Sequence, residues 1–174
     1  MFKSIVVAFD GSPHAGKALE LAAGMAREEK AVLGIIYVVD RLHTHVPEEM
    51  RQMAEVEHLI DPRPKMMVNF GNAPATMMSS MAQTSADTQD ALYQYADFLV
   101  EQAKKNAKQA GAGEIETRVA QGDPAEETVA FARDRDADLI ICGSRGFGKL
   151  KSVLLGSVSH KIAQLAACSC LTVK

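Results

Sequence analysis

The sequence predicts an α/β fold, a three-layer sandwich in which a parallel sheet carries helices on both faces. Three observations predict it. Short apolar runs rich in β-branched residues recur along the chain. Between them, apolar residues return at helical spacing, and the two patterns alternate. Alternation of this kind builds β-α-β units, whose parallel strands are joined by right-handed crossovers.

Taken in order, "SIVVAF" (4–9) is a first buried strand, closed by Asp10-Gly11-Ser12-Pro13. Ser12 suits the cap of the following helix and Pro13 its first turn, because a serine oxygen accepts an unpaired N–H and proline has none to leave unpaired. Ala15, Ala18, Leu19, Ala22, Met25 and Ala26 form the apolar stripe of that helix, and "AVLGIIYVV" (31–39) is the second strand. Leu92, Tyr95, Leu99, Ala103, Ala107 and Ala110 give a second amphipathic helix, with Lys104, Lys105 and Lys108 on its wet face and Gly111 and Gly113 stopping it. "EIETRVA" (114–120) alternates as a third strand, and Pro124 opens a helix through Val129 and Ala132. "DADLIICG" (136–143) is a fourth buried strand, and a helix from about Ser157 to Ala166 leads into a fifth, "SCLTV" (169–173).

The stretch from about residue 41 to 89 breaks this rhythm, being far longer than an ordinary strand-to-helix connection. It reads as an insertion between strand two and helix two of a single domain, residues 1–174. "PEEMRQMAEVEHLI" has the spacing of a short helix. The remainder, "DPRPKMMVNFGNAPATMMSSMAQTSADTQD", carries Pro, Gly, Ser and Asn punctuation without a sustained period, which predicts a surface loop with methionines packed beneath it. His43, His45 and His58 have no regular frame to align them and no cysteine nearby, so no metal site is expected.

A net charge of −3 offers no basic surface for nucleic acid, and only three Tyr and no Trp are available for base stacking, so nucleic acid is not an expected partner. The apolar run before Asp10 is too short for a signal-peptide core, and no stretch reaches the length of a membrane span. A cytoplasmic protein without membrane contact is expected. Cys142, Cys168 and Cys170 are an odd number with no C-x-x-C pair, so one chain can assemble neither a disulfide framework nor a four-cysteine zinc site. They read as buried thiols.

In an open parallel sheet, ligands sit at the carboxyl ends of strands, where connections leave to opposite sides. The first strand ends in "AFDGS" and the fourth in "ICGSRG". If these strands are neighbours, Asp10 faces the loop that begins at Gly143, as a nucleotide pocket requires. Gly143 and Gly146 would let backbone N–H groups approach an anion, and Gly156-Ser157 stands before the last helix, whose first N–H groups favour phosphate. Ser157 is expected to cap that helix and to donate to an oxygen. "GSRGFGKL" also supplies Gly143, Gly148 and Lys149 of a G-x-x-x-x-G-K-[ST] phosphate loop, but Leu150 stands where the magnesium-binding hydroxyl belongs.

The spacing Gly143, two residues, Gly146, nine residues, Gly156-Ser157 resembles the nucleotide-binding subgroup of the universal stress proteins, which carries G-x2-G-x9-G-[ST]. "VVAFDGS" and "GSVSHKIAQLAACSCLTV" resemble that family's flanks, so the likeness covers nearly all the chain outside the insertion. It implies a Rossmann-like five-stranded parallel sheet of order 3-2-1-4-5, with ATP or another adenine nucleotide, with or without Mg, across strands one and four. It also implies Asp10 beside the ribose, Val38 touching adenine through its main chain, and Cys142 against the nucleoside. Gly143, Gly146, Gly156, Ser157 and Val158 would supply the phosphate and ribose contacts. Two positions depart from the family's pattern: Cys168-Ser169 replaces the usual Cys-Pro, and the insertion is longer than typical.

The function so implied is that of an ATP-binding stress-response or regulatory protein, signalling to a regulatory protein partner through its dimer or insertion surface. A slow ATPase or phosphotransferase is the alternative, with Arg145, Lys149, Lys151, His160 and Lys161 nearby in sequence. An interaction module that binds no nucleotide is a third reading. A phosphoacceptor receiver domain shares the doubly wound sheet but needs an acidic pair after strand one and an aspartate after strand three. This chain has Asp10 alone and then Ala120-Gln121-Gly122. The last strand, "CLTVK", would lie at a sheet edge with unpaired main-chain groups, which predicts a homodimer, and the resemblance implies that this strand pairs across a two-fold axis.

Overall fold

The computed structural model describes residues 2–39, 74–146 and 155–174, with the side chains of the second stretch described from Leu92 onward. The chain divides into two compact units, residues 1–44 with 96–174, and residues 45–95. Of the second unit, the described part is the opening of one long helix.

The first unit is built on five parallel strands, β1 (Ser4–Ala8), β2 (Val32–Val39), β3 (Ile115–Gln121), β4 (Leu139–Gly143) and β5 (Ser169–Val173), ordered β3-β2-β1-β4-β5. Helices α1 (Pro13–Glu29), α2 (Pro74–Gln109), α3 (Pro124–Arg133) and α4 (Ser157–Leu165) connect them in turn. The central strand β1 sets Val6 opposite Gly34 of β2 and Ile140 of β4. Because successive side chains of a strand point to opposite faces, one apolar run supplies two cores. Ile5, Val7, Leu33, Ile35, Leu139 and Ile141 pack with Ala18, Leu19 and Ala22 of α1 and Ala103 and Ala107 of α2. Val6, Ile36, Ile140 and Cys142 pack on the other face with Ala125, Phe131 and Ala132 of α3 and Ile162 of α4. Full burial of each branched aliphatic side chain contributes roughly 1.5–3 kcal/mol.

Local signals read from the sequence hold at the helix ends. Ser12 caps α1, its Oγ accepting the Ala15 N–H at 3.2 Å, and Pro13 fills the first turn. Asp123 caps α3, its Oδ1 accepting the N–H groups of Ala125 and Glu126 at 3.0 Å each.

The second helix corrects the sequence reading. It starts at Pro74, not near Leu92, so residues 74–89 are helix where an irregular loop was expected. Pro74 suits a first turn, and Ala, Met and Gln make up half of the sixteen residues, enough to carry the Ser and Thr between them when the helix is already formed downstream. Extending an existing helix adds one hydrogen bond per residue without a new nucleation cost, so a helix can run through sequence that has no apolar period. The rest of the insertion, with His43, His45 and His58, lies outside the described residues. Among the described residues no helix is long and apolar enough to cross a membrane.

Candidate functional site

The chain moves outward from β1 to β2 and β3, then returns through α3 to β4 on the opposite side of β1. That reversal opens a crevice at the carboxyl ends of β1 and β4, the usual ligand position in a doubly wound sheet.

The β1–α1 turn forms one wall. Gly11 takes φ +83°, a left-handed conformation that glycine adopts without a Cβ penalty. This turn brings the Ser12 N–H onto Asp10 Oδ1 at 2.9 Å, while the Ser12 hydroxyl donates to the Arg145 carbonyl at 3.4 Å. The end of β1 is therefore tied to the loop that follows β4.

The glycines of that loop serve neighbours that sequence does not reveal. A Cβ on Gly143 would lie 2.9 Å from His14 C and Ala15 N, so Gly143 admits the start of α1 against β4. A Cβ on Gly146 would lie 2.5 Å from Asp10 Oδ2. At both positions the chain itself leaves no room for a side chain.

The opposite wall is the first turn of α4. Gly156, not Ser157, is its N-cap, which corrects the expected capping role; Ser157 is the first helical residue and no side chain caps the helix. A Cβ-free N-cap leaves the N–H groups of the first turn without a side-chain acceptor. The helix is hung in place by the Gly156 N–H on the Ser144 carbonyl at 2.7 Å and by the Ser159 hydroxyl on the Gly156 carbonyl at 3.0 Å.

Between these walls lies a cavity of about 770 Å3, whose lining includes all eight residues singled out from sequence: Asp10, Val38, Cys142, Gly143, Gly146, Gly156, Ser157 and Val158. The main chain of Val38 faces the crevice by strand alternation. The Val39 carbonyl takes the Gly122 N–H on the β3 side and the Ile36 carbonyl takes the Phe9 N–H on the β1 side. Val38 therefore turns its polar groups toward β1, which has already ended at Ala8. Sequence reading missed Ile36, Pro124, Thr128 and Ser159 in the lining. Pro124 and Thr128 follow strand three, whose end is also a carboxyl end, and that is the signal that could have found them.

Cys142 is buried, with Sγ 3.9 Å from Thr172 Oγ1, and burial pushes its thiol above the ordinary range. Cys168 and Cys170 are half-buried rather than fully buried as expected, and desolvation raises both. All three stay protonated at neutral pH, so Cys142 presents a neutral thiol to the cavity. Lys161 donates to Asp123 Oδ2 at 3.0 Å and to Glu126 Oε1 at 2.8 Å, and both contacts hold the ammonium charged. These contacts tie α4 to the start of α3, while Arg145 and His160, also named from sequence, line the cavity. Gly148, Lys149, Leu150 and Lys151 lie outside the described residues.

Comparison with known proteins gives the same outline. The chain matches the model of the Universal stress protein family over residues 1–66 and 66–174. The chain belongs to the universal stress protein family. Among curated members, Universal stress protein YxiE of Bacillus subtilis is 31% identical over 174 residues, covering 100% of both chains. A universal stress protein solved in complex with cAMP is 23% identical, covers 99% of this chain and 97% of its own, and superposes with a TM-score of 0.63. The universal stress protein of Archaeoglobus fulgidus in complex with dAMP is 16% identical, covers 100% and 98%, and gives a TM-score of 0.59. At these identities the solved structures show that the stress-protein fold is shared.

Proposed function

We propose that this universal stress protein binds an adenine nucleotide, ATP among them, in the cavity between β1 and β4, and acts as a stress-response regulator rather than a turnover enzyme. One observation carries the reading. The first turn of α4 lacks a side-chain cap and lines a cavity whose far wall is the end of β1 with Asp10. An uncapped helix start offers N–H donors and the positive end of the helix dipole to a phosphate, with no side chain to displace.

The nucleoside goes to Asp10, Val38 and Cys142, and the phosphates to the N–H groups around Gly143, Gly146, Gly156, Ser157 and Val158, as in the G-x2-G-x9-G-[ST] subgroup. Asp10 is the one carboxylate among the described lining residues, so Mg would enter with the phosphates rather than be held in advance. The cAMP and dAMP complexes of structural relatives support an adenine nucleotide as the class of ligand. Lys161 lies outside the cavity in exposed ion pairs with Asp123 and Glu126, and Arg145 and His160 are the basic residues of the lining that a phosphate would meet. The reading includes a cytoplasmic homodimer paired through β5, at the edge of the sheet.

Mass spectrometry of the purified protein for co-purifying nucleotide, followed by calorimetry of nucleotide-free protein with ATP, ADP and cAMP, tests it. A saturable heat with at least one of them is expected. A folded protein giving none overturns the reading, and sustained phosphate release from ATP moves it to the ATPase.

A further inference from the structure

We infer that Ser12 is a positioning residue for the loop after β4: its hydroxyl holds the Arg145 carbonyl and so turns the Gly146 N–H toward the cavity as a donor to phosphate. The inference rests on the adenine-nucleotide reading of the cavity and adds to it the residue that orients this donor.

Ser12 is 1% exposed and stands behind the loop, outside the cavity lining. Its Oγ accepts the Ala15 N–H at 3.2 Å. An amide N–H only donates, so the single hydroxyl proton is left for the Arg145 carbonyl, 3.4 Å away. The main-chain N–H of Ser12 is itself held on Asp10 Oδ1 at 2.9 Å, which fixes the serine from a third side.

The bond to Arg145 sets a peptide plane. In a planar trans peptide, the carbonyl of one residue and the N–H of the next point in opposite directions. With the Arg145 carbonyl on Ser12, the Gly146 N–H points away from Ser12, and Gly146 lines the cavity. Among the described residues none accepts that N–H. The β1–α1 turn also meets the loop on either side of this carbonyl: a Cβ on Gly143 would lie 2.9 Å from Ala15 N, and one on Gly146 2.5 Å from Asp10 Oδ2. A donor held in place before the ligand arrives needs no ordering when a phosphate binds, which is the gain from preorganisation.

The full chain tests this with ATP and with adenosine, which lacks phosphate. Ser12→Gly removes the hydroxyl and keeps the main-chain N–H for Asp10, and glycine caps a helix nearly as well as serine, so Tm should change little. By calorimetry the variant should bind ATP about tenfold more weakly, the scale of one lost hydrogen bond to a charged group, and adenosine as the wild type does. A 15N–1H correlation titration of the wild type needs no variant: the Gly146 amide should shift on saturation with ATP and stay in place with adenosine. Unchanged ATP affinity in Ser12→Gly, an equal loss for both ligands, or a Gly146 amide unmoved by ATP overturns the role of Ser12 and leaves nucleotide binding standing. If the wild type binds neither ligand, both readings fall together.

Discussion

The carboxylate of Asp10 fills the space that a side chain at residue 146 would need: a Cβ there would lie 2.5 Å from Oδ2. Asp10 and Gly146 are distant in sequence, yet the ribose position proposed for Asp10 depends on the absence of a side chain at Gly146. Gly146→Ala should displace Asp10 or the loop and weaken ATP by tenfold or more. In a double-mutant cycle with Asp10→Ala the two losses should not add, because each disturbs the same contact. Fully additive losses in calorimetry would separate the two residues.

Gly143 behaves differently, since its near neighbours are backbone atoms of His14 and Ala15 that cannot rotate away. Gly143→Ala is expected to destabilise the fold by about 1–3 kcal/mol, the cost of overpacking. Urea unfolding checks this. A loss of nucleotide affinity with unchanged stability would show that ligand contact, rather than helix packing, requires this glycine.

The edge strand can be tested without disturbing the sheet. The Val173 carbonyl accepts from the Ser144 N–H at 2.6 Å, so Val173 and Leu171 turn their main chain to β4 and Thr172 turns its own outward. Thr172→Pro removes an outward N–H while sparing the β4 ladder. The wild type should be a dimer in light scattering and the variant a monomer with unchanged circular dichroism. A dimeric variant sets the interface elsewhere.

Acid sensitivity is expected at the opposite end of the sheet. Asp138 Oδ2 accepts the N–H groups of Lys3 at 2.6 Å and Ser4 at 3.0 Å, and these bonds hold its carboxyl below the ordinary aspartate range. A depressed carboxylate contributes stability that is complete above the unfolded value of about 3.9 and is lost as pH falls through the lower folded value. Asp138→Asn should therefore lower Tm at pH 7 and match the wild type near pH 2, with nucleotide affinity unaffected. An equal Tm difference at both pH values would contradict the assignment.

Much of this was legible in the sequence because the signals are local. Ser12-Pro13 and Pro124 announce helix starts through their own chemistry, and "SIVVAF" and "DADLIICG" announce buried strands through composition. The G-x2-G-x9-G-[ST] spacing led to eight residues that line one cavity. What escaped depends on partners far along the chain. Neither glycine of the loop declares that its near neighbour is His14 or Asp10. Thr128 looks like any helical threonine until the fold sets it in the lining of the cavity. The early start of α2 escaped because propensity, unlike apolar period, leaves no stripe to read.

The central claim is that an adenine nucleotide seats its phosphates on the first turn of α4 and its base beside Val38. A 15N–1H correlation titration of the full chain with ATP tests it most directly. Saturable shifts are expected first at the amides of Gly156, Ser157, Val158 and Val38, and they should persist in Lys149→Ala, since the N–H groups rather than the phosphate-loop lysine hold the ligand. No saturable shifts, or shifts that spare α4 and vanish with Lys149, would contradict the account.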